Sequence, residues 1–360
     1  MLAKHTTAIF YPIDNDPQSV ILYEELYKLG SHPLMIPFKL EHGEKFCNIE
    51  VSPENLIINE YLNDVRAVYI RGLSTKTPLS APPFLNEYEL SAWQAKYIKD
   101  NIKISIVNSI LNHLEMKGAL IINKLKSYLN HNTKVNFNLM LAKNGINVPI
   151  TFGTNDIEML KKKISEFESL IVKSPSGVGA TRRVSPDFLL RNPLSLKMTP
   201  ALFQEEIKSK TLRIHTIGSK AVLTLEIMAE DIDSRSDTSG FKVVELSIEQ
   251  EKQVTKANKL LGWHFSAWDA IIDKNDKIYL LDGNPGPYIY WIGDHMTRLV
   301  MKELAKYMSV FSQTGNFKKA DNAVNYPDVI HNQVLKFDEN AFTYIENTIN
   351  SWKIELGLRY

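Results

Sequence analysis

Apolar residues in the first part of the chain alternate between strand-like and helix-like spacing. Runs rich in β-formers predict strands at Thr6–Ile13 and Pro33–Phe38, and the amphipathic stretch Pro17–Leu29 between them predicts a helix that ends at Gly30. Strand, helix and strand in this order make a βαβ unit. The N-terminal region is therefore expected to be a small α/β lobe.

The same two spacings continue through the middle of the chain. The helical spacing predicts helices at Leu111–Leu129, Val135–Lys143, Asp156–Phe167 and Ile248–Leu261. Short runs of β-formers predict strands at Ala67–Ile70, Leu170–Lys173, Ala201–Ile207, Leu212–Ile217 and Val222–Met228. The predicted fold class combines α/β and α+β lobes.

Three oxygen-bearing side chains come together near the end of a predicted β-hairpin. Two strand-like runs, Phe265–Ile272 and Lys277–Leu281, flank a polar turn. Asp282 and Asn284 are two residues apart, so they point to one face if the second strand continues through them. Asp269 joins that face if the loop between the strands has an even number of residues, and it then lies diagonally across from Asp282.

The chemistry of these three side chains indicates a magnesium site. Two carboxylates and an amide oxygen are hard donors, which suit Mg²⁺ better than zinc. Nucleotide phosphates would supply the remaining ligands, because proteins seldom enclose Mg²⁺ alone. The alternative is a polar hairpin end with solvated acids and an Asn-Pro turn.

A Gly/Ser-rich segment at residues 174–184, SPSGVGATRRV, follows the strand Leu170–Lys173. Gly177 and Gly179 would let backbone N–H groups approach phosphates, and Lys173 would add a positive charge. The segment lacks both the P-loop and the dinucleotide-binding pattern, and a glycine-containing hairpin turn is the alternative.

Three arginines are candidate contacts for an anion. Arg213 alternates with apolar neighbours on a predicted strand, so we expect it to need an anion or a carboxylate partner. Arg235 lies in a polar loop and Arg71 follows a strand. The alternative for Arg235 is a solvated loop arginine, and the alternative for Arg71 is an exposed structural arginine.

Composition narrows the class of protein. A chain of 360 residues is expected to form two or three lobes, and its 44% apolar content provides a substantial core. The formal net charge of +1 gives no overall basic field for nucleic acid, and the single cysteine, Cys47, fits a reducing compartment. No apolar run approaches about 18 residues and no secretory signal is apparent. The sequence therefore predicts a soluble, cytoplasmic protein with no membrane or nucleic-acid partner.

Five short segments occur in an order that resembles a known family. Lys134 precedes a helix that ends in Asn-Gly-Ile and Pro149, and then come IVKSPSGVGA, LFQEEI, TLRIHTIG and SAWDAII…YLLDGNPGP. Together they resemble the ATP-grasp ligases, in the branch that contains the ribosomal-protein glutamate ligase and the microviridin-type peptide maturases. The resemblance covers residues 105–305, and the N-terminal lobe resembles the family's pre-ATP-grasp domain at the level of fold.

The resemblance implies roles for individual residues. Lys134 and Lys173 would hold the phosphates of ATP, and Asp269, Asp282 and Asn284 would bind Mg²⁺. The hinge between two strands would pair with adenine along its edge, and it consists of Gln204, Glu205, Glu206 and Ile207. The polar loop near the active site consists of Arg235, Ser236 and Asp237. Arg213 matches an arginine of the family's D-I-R segment. The chain departs from the family at Asp282, where Glu is usual, and at Thr211, where a ribose-binding Asp is frequent.

ATP-grasp ligases activate a carboxylate as an acyl phosphate, which an amine, hydroxyl or thiol then attacks. The resemblance therefore implies an ATP- and Mg²⁺-dependent carboxylate ligase. Trp291 and Ile292 after DGNPGP, and the S-R-S-D loop, look more like the peptide maturases. This implies ester or amide (macrolactone or macrolactam) formation on a ribosomal precursor peptide. The alternatives are a glutamate- or amino-acid-adding ligase, a small-molecule kinase, and a nucleotide-binding protein without turnover.

The expected organisation is a pre-ATP-grasp lobe at residues 1–107, a central lobe at 108–200, a C-terminal lobe at 201–310 and a helical extension at 311–360. An apolar stripe in the extension indicates packing on the chain's own core or a homo-oligomer interface. Its members are Phe342, Ile345, Ile349, Trp352 and Leu356. Lys161, Lys162 and Lys163 form either a solvated helix face or a contact for an acidic leader segment.

Overall fold

The computed structural model describes residues 6–11, 16–37, 49–51, 56–58, 62–72, 87–173, 181–185, 200–229, 238–331 and 333–337. The chain divides into two compact units. The first contains Met1–Asn123, Gly286–Asn325 and Phe337–Tyr360, and the second contains Lys124–Pro285 and Tyr326–Lys336. The finer division into four segments stays a prediction.

The first unit is built on a parallel sheet with the strand order β2-β1-β5-β6. Its strands are β1 (Thr7–Tyr11), β2 (Leu34–Pro37), β5 (Ala67–Ile70) and β6 (Leu120–Ile122), and a separate antiparallel pair consists of β3 (Ile49–Val51) and β4 (Leu56–Ile58). The predicted βαβ unit is confirmed, because β1 and β2 are parallel neighbours joined by helix α1 (Pro17–Lys28). Asp16 caps α1 by accepting the Ser19 N–H, and Gly30 has the positive φ of 76° that ends this helix.

Helices cover the parallel sheet of the first unit. Helix α2 (Glu87–Met116) precedes β6, and α7 (Asp294–Thr314) packs against α1 and β5. A short 3₁₀ helix (Tyr290–Ile292) precedes α7, and α8 (Phe317–Ala323) follows it. None of the helices in the described part of the chain is long and apolar enough to cross a bilayer.

The single helix predicted at Leu111–Leu129 is wrong. Helix α2 ends at Met116, and Gly118, whose φ of 84° suits glycine, turns the chain into β6. Strand β6 is buried throughout and parallel to β5, and helix α3 (Leu125–Asn132) begins only after it. A continuous apolar run does not distinguish a buried parallel strand from a buried helix, so periodicity alone misassigned this segment.

Arg71 follows β5 and is largely buried, unlike the exposed structural arginine of the alternative interpretation. Its side chain is 12% exposed, its Nε lies 3.4 Å from Asp16 Oδ1, and its guanidinium lies 4.8 Å from the centre of the Tyr288 ring. The ion pair and the cation–π contact give Arg71 a structural role within the first unit.

The second unit contains two antiparallel sheets. The four-stranded sheet has the order β7-β10-β8-β9, from β7 (Thr151–Thr154), β8 (Leu170–Lys173), β9 (Arg182–Arg183) and β10 (Ala201–Glu205). The six-stranded sheet has the order β15-β14-β11-β12-β13-β16, from β11 (Lys210–Ile217), β12 (Lys220–Ala229), β13 (Thr238–Val243), β14 (Phe265–Ile272), β15 (Ile278–Asn284) and β16 (Val334–Leu335). The predicted combination of α/β and α+β lobes is confirmed.

The described helices of the second unit are α3, α4 (Lys134–Lys143), α5 (Ile157–Ile164) and α6 (Ile248–Leu261). Helix α6 begins with a capping box between Ser247 and Gln250. Its Asn258 is buried, donates to Thr216, and accepts from Ser266 and the indole of Trp268. These bonds fix α6 to strands β11 and β14.

Aromatic rings fill the core between α4 and the hairpin of β14 and β15. The ring of Phe137 stacks on both Trp263 and Trp268, with centroids 5.9 Å and 5.8 Å away. Residues of β14 that point to the opposite face from Trp268 are therefore directed away from this core. Asp269 is one of them.

Candidate active site

One row of charged side chains crosses three adjacent strands of the six-stranded sheet. Arg213 on β11 pairs with Asp269 on β14, and Asp269 pairs in turn with Asp282 on β15. Directly opposed residues of neighbouring strands project to the same face. The guanidinium and the two carboxylates therefore share one face of the sheet.

The diagonal arrangement that we predicted for Asp269 and Asp282 is wrong. Ile272 pairs with Ile278, so the turn contains the five residues 273–277 rather than an even number. That turn alone would place Asp269 opposite Leu281. The register shifts between 269 and 270, which makes Leu281 the extra residue of a β-bulge and brings Asp282 directly opposite Asp269.

Each carboxylate of the row is paired with a cation. Arg213 Nη1 lies 2.6 Å from Asp269 Oδ1, and Lys134 Nζ, from the start of α4, lies 2.5 Å from Asp282 Oδ2. The Lys134 and Arg213 side chains are 9% and 17% exposed, whereas those of Asp282 and Asp269 are 31% and 46% exposed. The carboxylates are therefore the accessible partners, and the cations support them from more buried positions.

A second row, two residues along the strands, contains Asn284 and a histidine that the sequence reasoning missed. His215 pairs with Ala267, and Ala267 pairs with Asn284, so both side chains share the face of the charged row. His215 is fully buried, and burial, reinforced by the positive charge of Arg213, lowers its pKa to about 3. The imidazole is therefore neutral at neutral pH. Its position two residues after Arg213 in an alternating strand is the signal that could have identified it.

The predicted metal-binding residues fit Mg²⁺ by their chemistry. Asp269, Asp282 and Asn284 bring two carboxylates and an amide oxygen to one face, and the carboxylates are the accessible partners of their ion pairs. Such a set suits an ion that takes one or two carboxylates from protein and further oxygens from phosphate. Within the described ranges, no group of three or more His, Cys, Asp or Glu residues is arranged to hold a metal without such help.

Lys173, the predicted phosphate contact, lies in the four-stranded sheet at the end of β8. Its Nζ donates a 2.9 Å hydrogen bond to Oε1 of Gln204 on the neighbouring strand β10. Gln204 is 1% exposed. A predicted phosphate lysine and a predicted hinge residue are thus in direct contact.

The remaining predicted hinge residues follow along β10. Glu205 N–H donates to the Ile150 carbonyl oxygen (2.9 Å), and Ile207 lies half-buried just beyond the strand. The Glu206 carboxylate accepts from Ser169 Oγ and from two nitrogens of Arg183. Burial works to raise the pKa of Glu206, but the hydrogen bonds from Arg183 and Ser169 outweigh it, and the pKa lies below its ordinary value. Arg183 is the penultimate residue of the glycine-rich segment 174–184, so this ion pair joins the end of that segment to the hinge.

No protein-family model matches the sequence. A curated relative, a probable alpha-L-glutamate ligase of Haemophilus influenzae (strain PittEE), is 25% identical over 191 residues, which are 49% of this chain and 64% of the relative. The chain therefore matches less than two thirds of the length of that relative.

Two solved structures resemble the chain over most of its length. The ATP-grasp ligase PsnB, in complex with the precursor peptide PsnA2 and AMPPNP, has a TM-score of 0.72 at 18% identity and covers 87% of this chain and 99% of its own. The chain has the ATP-grasp fold. The macrocyclase MdnC of Microcystis aeruginosa, bound with the precursor peptide MdnA, has a TM-score of 0.64 at 18% identity and covers 84% of this chain and 99% of its own. The ATP-grasp fold expected from the five segments is thus confirmed.

Several residues predicted for the ATP-grasp site lie outside the described part of the chain. They are Gly177 and Gly179 of the glycine-rich segment, and Arg235, Ser236 and Asp237 of the polar loop. The apolar stripe of the C-terminal extension also lies outside the described residues. The roles predicted for these residues stay predictions.

Two of the three lysines of α5, which we predicted as a solvated face or a docking site, form ion pairs with glutamates. Lys161 pairs with Glu158 and Lys163 pairs with Glu166, at 2.8 Å and 2.5 Å. An acidic leader segment that binds Lys161 or Lys163 would compete with these glutamates.

Proposed function

We propose that the chain is an ATP- and Mg²⁺-dependent carboxylate ligase. The observation that carries the proposal is the row of Arg213, Asp269 and Asp282, in which Asp282 also pairs with Lys134. Two accessible carboxylates, each paired with a less exposed cation, suit an ion bound to polyphosphate, because the ion then takes ligands from both protein and nucleotide. When bound, Mg²⁺ would neutralise charge on the phosphates as the phosphoryl group moves.

The proposed reaction has two steps. A carboxylate oxygen of the substrate attacks the γ-phosphorus of ATP, and the bond between that phosphorus and the β–γ bridging oxygen breaks. The products of this step are ADP and the acyl phosphate of the substrate. An amine or hydroxyl then attacks the acyl carbon, phosphate departs and one proton is released. Lys134, Lys173 and Arg213 would act by position and charge, since neither step needs a nucleophile from the protein.

The substrate class that we favour is a peptide precursor, with ester or amide bonds formed between its own side chains. Support comes from PsnB and MdnC, both solved with precursor peptides, to which this chain is similar over more than four fifths of its length. A glutamate-adding ligase is the second candidate, favoured by the similarity to the probable alpha-L-glutamate ligase. Mass spectrometry separates the two, because an internal bond removes one water from the peptide whereas ligation adds a glutamyl residue.

The central test is the substitution Asp282→Ala. We expect carboxylate-dependent ADP formation to fall by about a hundredfold or more, because the phosphates lose an ion ligand while Lys134 becomes an unbalanced cation. ADP release is measured with and without a carboxylate acceptor, and the thermal midpoint of each variant shows that it is folded.

Glu158→Ala is the matched control, since it removes a carboxylate from an exposed ion pair on α5 and should leave ADP formation unchanged. Near-normal ADP formation by folded Asp282→Ala would contradict the site. ADP release at the same rate with and without the carboxylate substrate would instead indicate a kinase that acts on another substrate. ATP binding without turnover would indicate a nucleotide-binding protein.

A further inference from the structure

A chain of side-chain hydrogen bonds leads from Lys173 to helix α4. Lys173 Nζ donates to Gln204 Oε1 (2.9 Å), and Gln204 Nε2 donates to Thr151 Oγ1 (3.0 Å) on the neighbouring strand β7. Asn138 Nδ2 of α4 donates to the same hydroxyl (3.3 Å). Gln204 and Asn138 are 1% and 7% exposed, so solvent has little access to these bonds.

The Thr151 hydroxyl determines which groups donate and which accept along this series of hydrogen bonds. It donates its one proton to the Pro149 carbonyl oxygen (2.9 Å), because a carbonyl has no proton to give. The hydroxyl oxygen can then only accept from the two amides, so Gln204 and Asn138 must turn their NH₂ groups toward it. The Gln204 amide oxygen is thereby turned toward Lys173.

The opposite orientation of the Gln204 amide is unfavourable at both ends. Its NH₂ group would face the Lys173 ammonium, which is a donor only, and its oxygen would face the lone pairs of Thr151 Oγ1. Unmatched polar groups are costly in a buried position, so the hydroxyl selects a single orientation.

We propose that Thr151 is a positioning residue for the nucleotide site. Its hydroxyl fixes the Gln204 amide, and the amide oxygen holds the Lys173 ammonium in the position where it meets the nucleotide phosphates. The role rests on the proposed function, because it takes Lys173 as a phosphate contact. Without the hydroxyl, the Gln204 amide can rotate and Lys173 loses its fixed acceptor.

The test compares Thr151→Val with Thr151→Ser in the full chain. Valine keeps the β-branched shape and removes the hydroxyl, whereas serine keeps the hydroxyl and loses the methyl group. In Thr151→Val we expect Lys173 to react faster with an amine-acylating reagent, measured by peptide mass spectrometry in the absence of nucleotide. We also expect the Kd for MgATP to rise about tenfold, the effect of one hydrogen bond to a charged group. Thr151→Ser should match the wild type in both measurements.

Thermal midpoints ensure that all measurements are made on folded protein. Equal Lys173 labelling in the wild type and Thr151→Val would overturn the role of the hydroxyl, and so would equal weakening of MgATP binding by serine and valine. If labelling changes as expected but MgATP neither binds the wild type nor protects Lys173, the proposed function fails. That result would remove the nucleotide role of Thr151 and leave only its effect on Lys173.

Discussion

At the scale of single residues, the second unit contains histidines that folding keeps neutral. Burial lowers the pKa of His215 to about 3, and burial together with nearby Lys124 lowers that of the partly buried His264 to about 4, from an ordinary value of 6.5. The unfolded chain therefore binds more protons than the folded chain below pH 6.5. The stabilising contribution of both groups is complete above that pH and is lost progressively as the pH falls.

We expect the free energy of unfolding to decrease between about pH 7 and about pH 5, since each unit of pKa shift is worth about 1.4 kcal/mol. Urea unfolding at a series of pH values measures this slope. His264→Gln should reduce the slope, and His295→Gln, at an exposed position on α7, is the matched control. A free energy of unfolding that is constant over this range would contradict the prediction.

Two buried asparagines differ in how well their hydrogen bonds are satisfied. Asn258 uses both ends of its amide, whereas Asn138 donates one long bond and its Oδ1 is buried with no hydrogen-bond partner among the described residues. Asn258→Leu should cost about 3 kcal/mol, because the buried Trp268 indole N–H loses its acceptor and Thr216 and Ser266 each lose one hydrogen bond. Asn138→Leu should cost less than about 1 kcal/mol. Chemical denaturation of both variants measures the difference, and equal losses would contradict it.

At the scale of elements, strand β15 depends on a glycine packed against the tryptophans of the core. A Cβ atom on Gly283 would lie 2.6 Å from Trp263 Cζ3 and 2.9 Å from Trp268 Cζ3. Gly283→Ala must therefore displace either the rings or the strand, at a cost of about 1–3 kcal/mol. Since Gly283 lies between Asp282 and Asn284, we also expect MgATP binding to weaken.

The control for Gly283→Ala is Gly153→Ala, where the nearest atoms to a new Cβ lie 3.9 Å and 4.0 Å away. Thermal denaturation and the Kd for MgATP are measured for both variants. A Gly283→Ala protein with unchanged stability and affinity would show that β15 tolerates a shift at this position.

The sequence pattern is most informative where the periodicity is strong and local. The bounds of the helix Ile248–Leu261 and the strand Phe265–Ile272 agree with the structure. A capping box starts the helix, and the strand is a continuous run rich in apolar and β-forming residues. The bulge at Leu281 was not predicted, since it depends on how β15 packs rather than on its own pattern. The contact between Lys134 and Asp282 joins residues 148 positions apart, so no local pattern contains it.

At the scale of the whole molecule, the resemblance of five segments predicted the ATP-grasp fold, while the division into four segments stays a prediction. The described site residues Lys134, Lys173, Gln204, Arg213, Asp269, Asp282 and Asn284 all belong to the second unit. Residues 286–325, in contrast, return to the first unit, where α7 packs against α1. Periodicity identifies α7 as an amphipathic helix but does not indicate which sheet its apolar face covers.

This return of the chain has a consequence for the order of folding during synthesis. The strands of the second unit, apart from β16, come from one continuous stretch, so they can pair as soon as residues up to 285 have left the ribosome. The parallel sheet of the first unit is synthesised earlier, but α1 has no α7 to pack against until residue 314 has emerged. We therefore expect the first-made unit to expose the apolar surface that α7 covers until residue 314 has emerged, and aggregation of the nascent chain to be most probable in this interval.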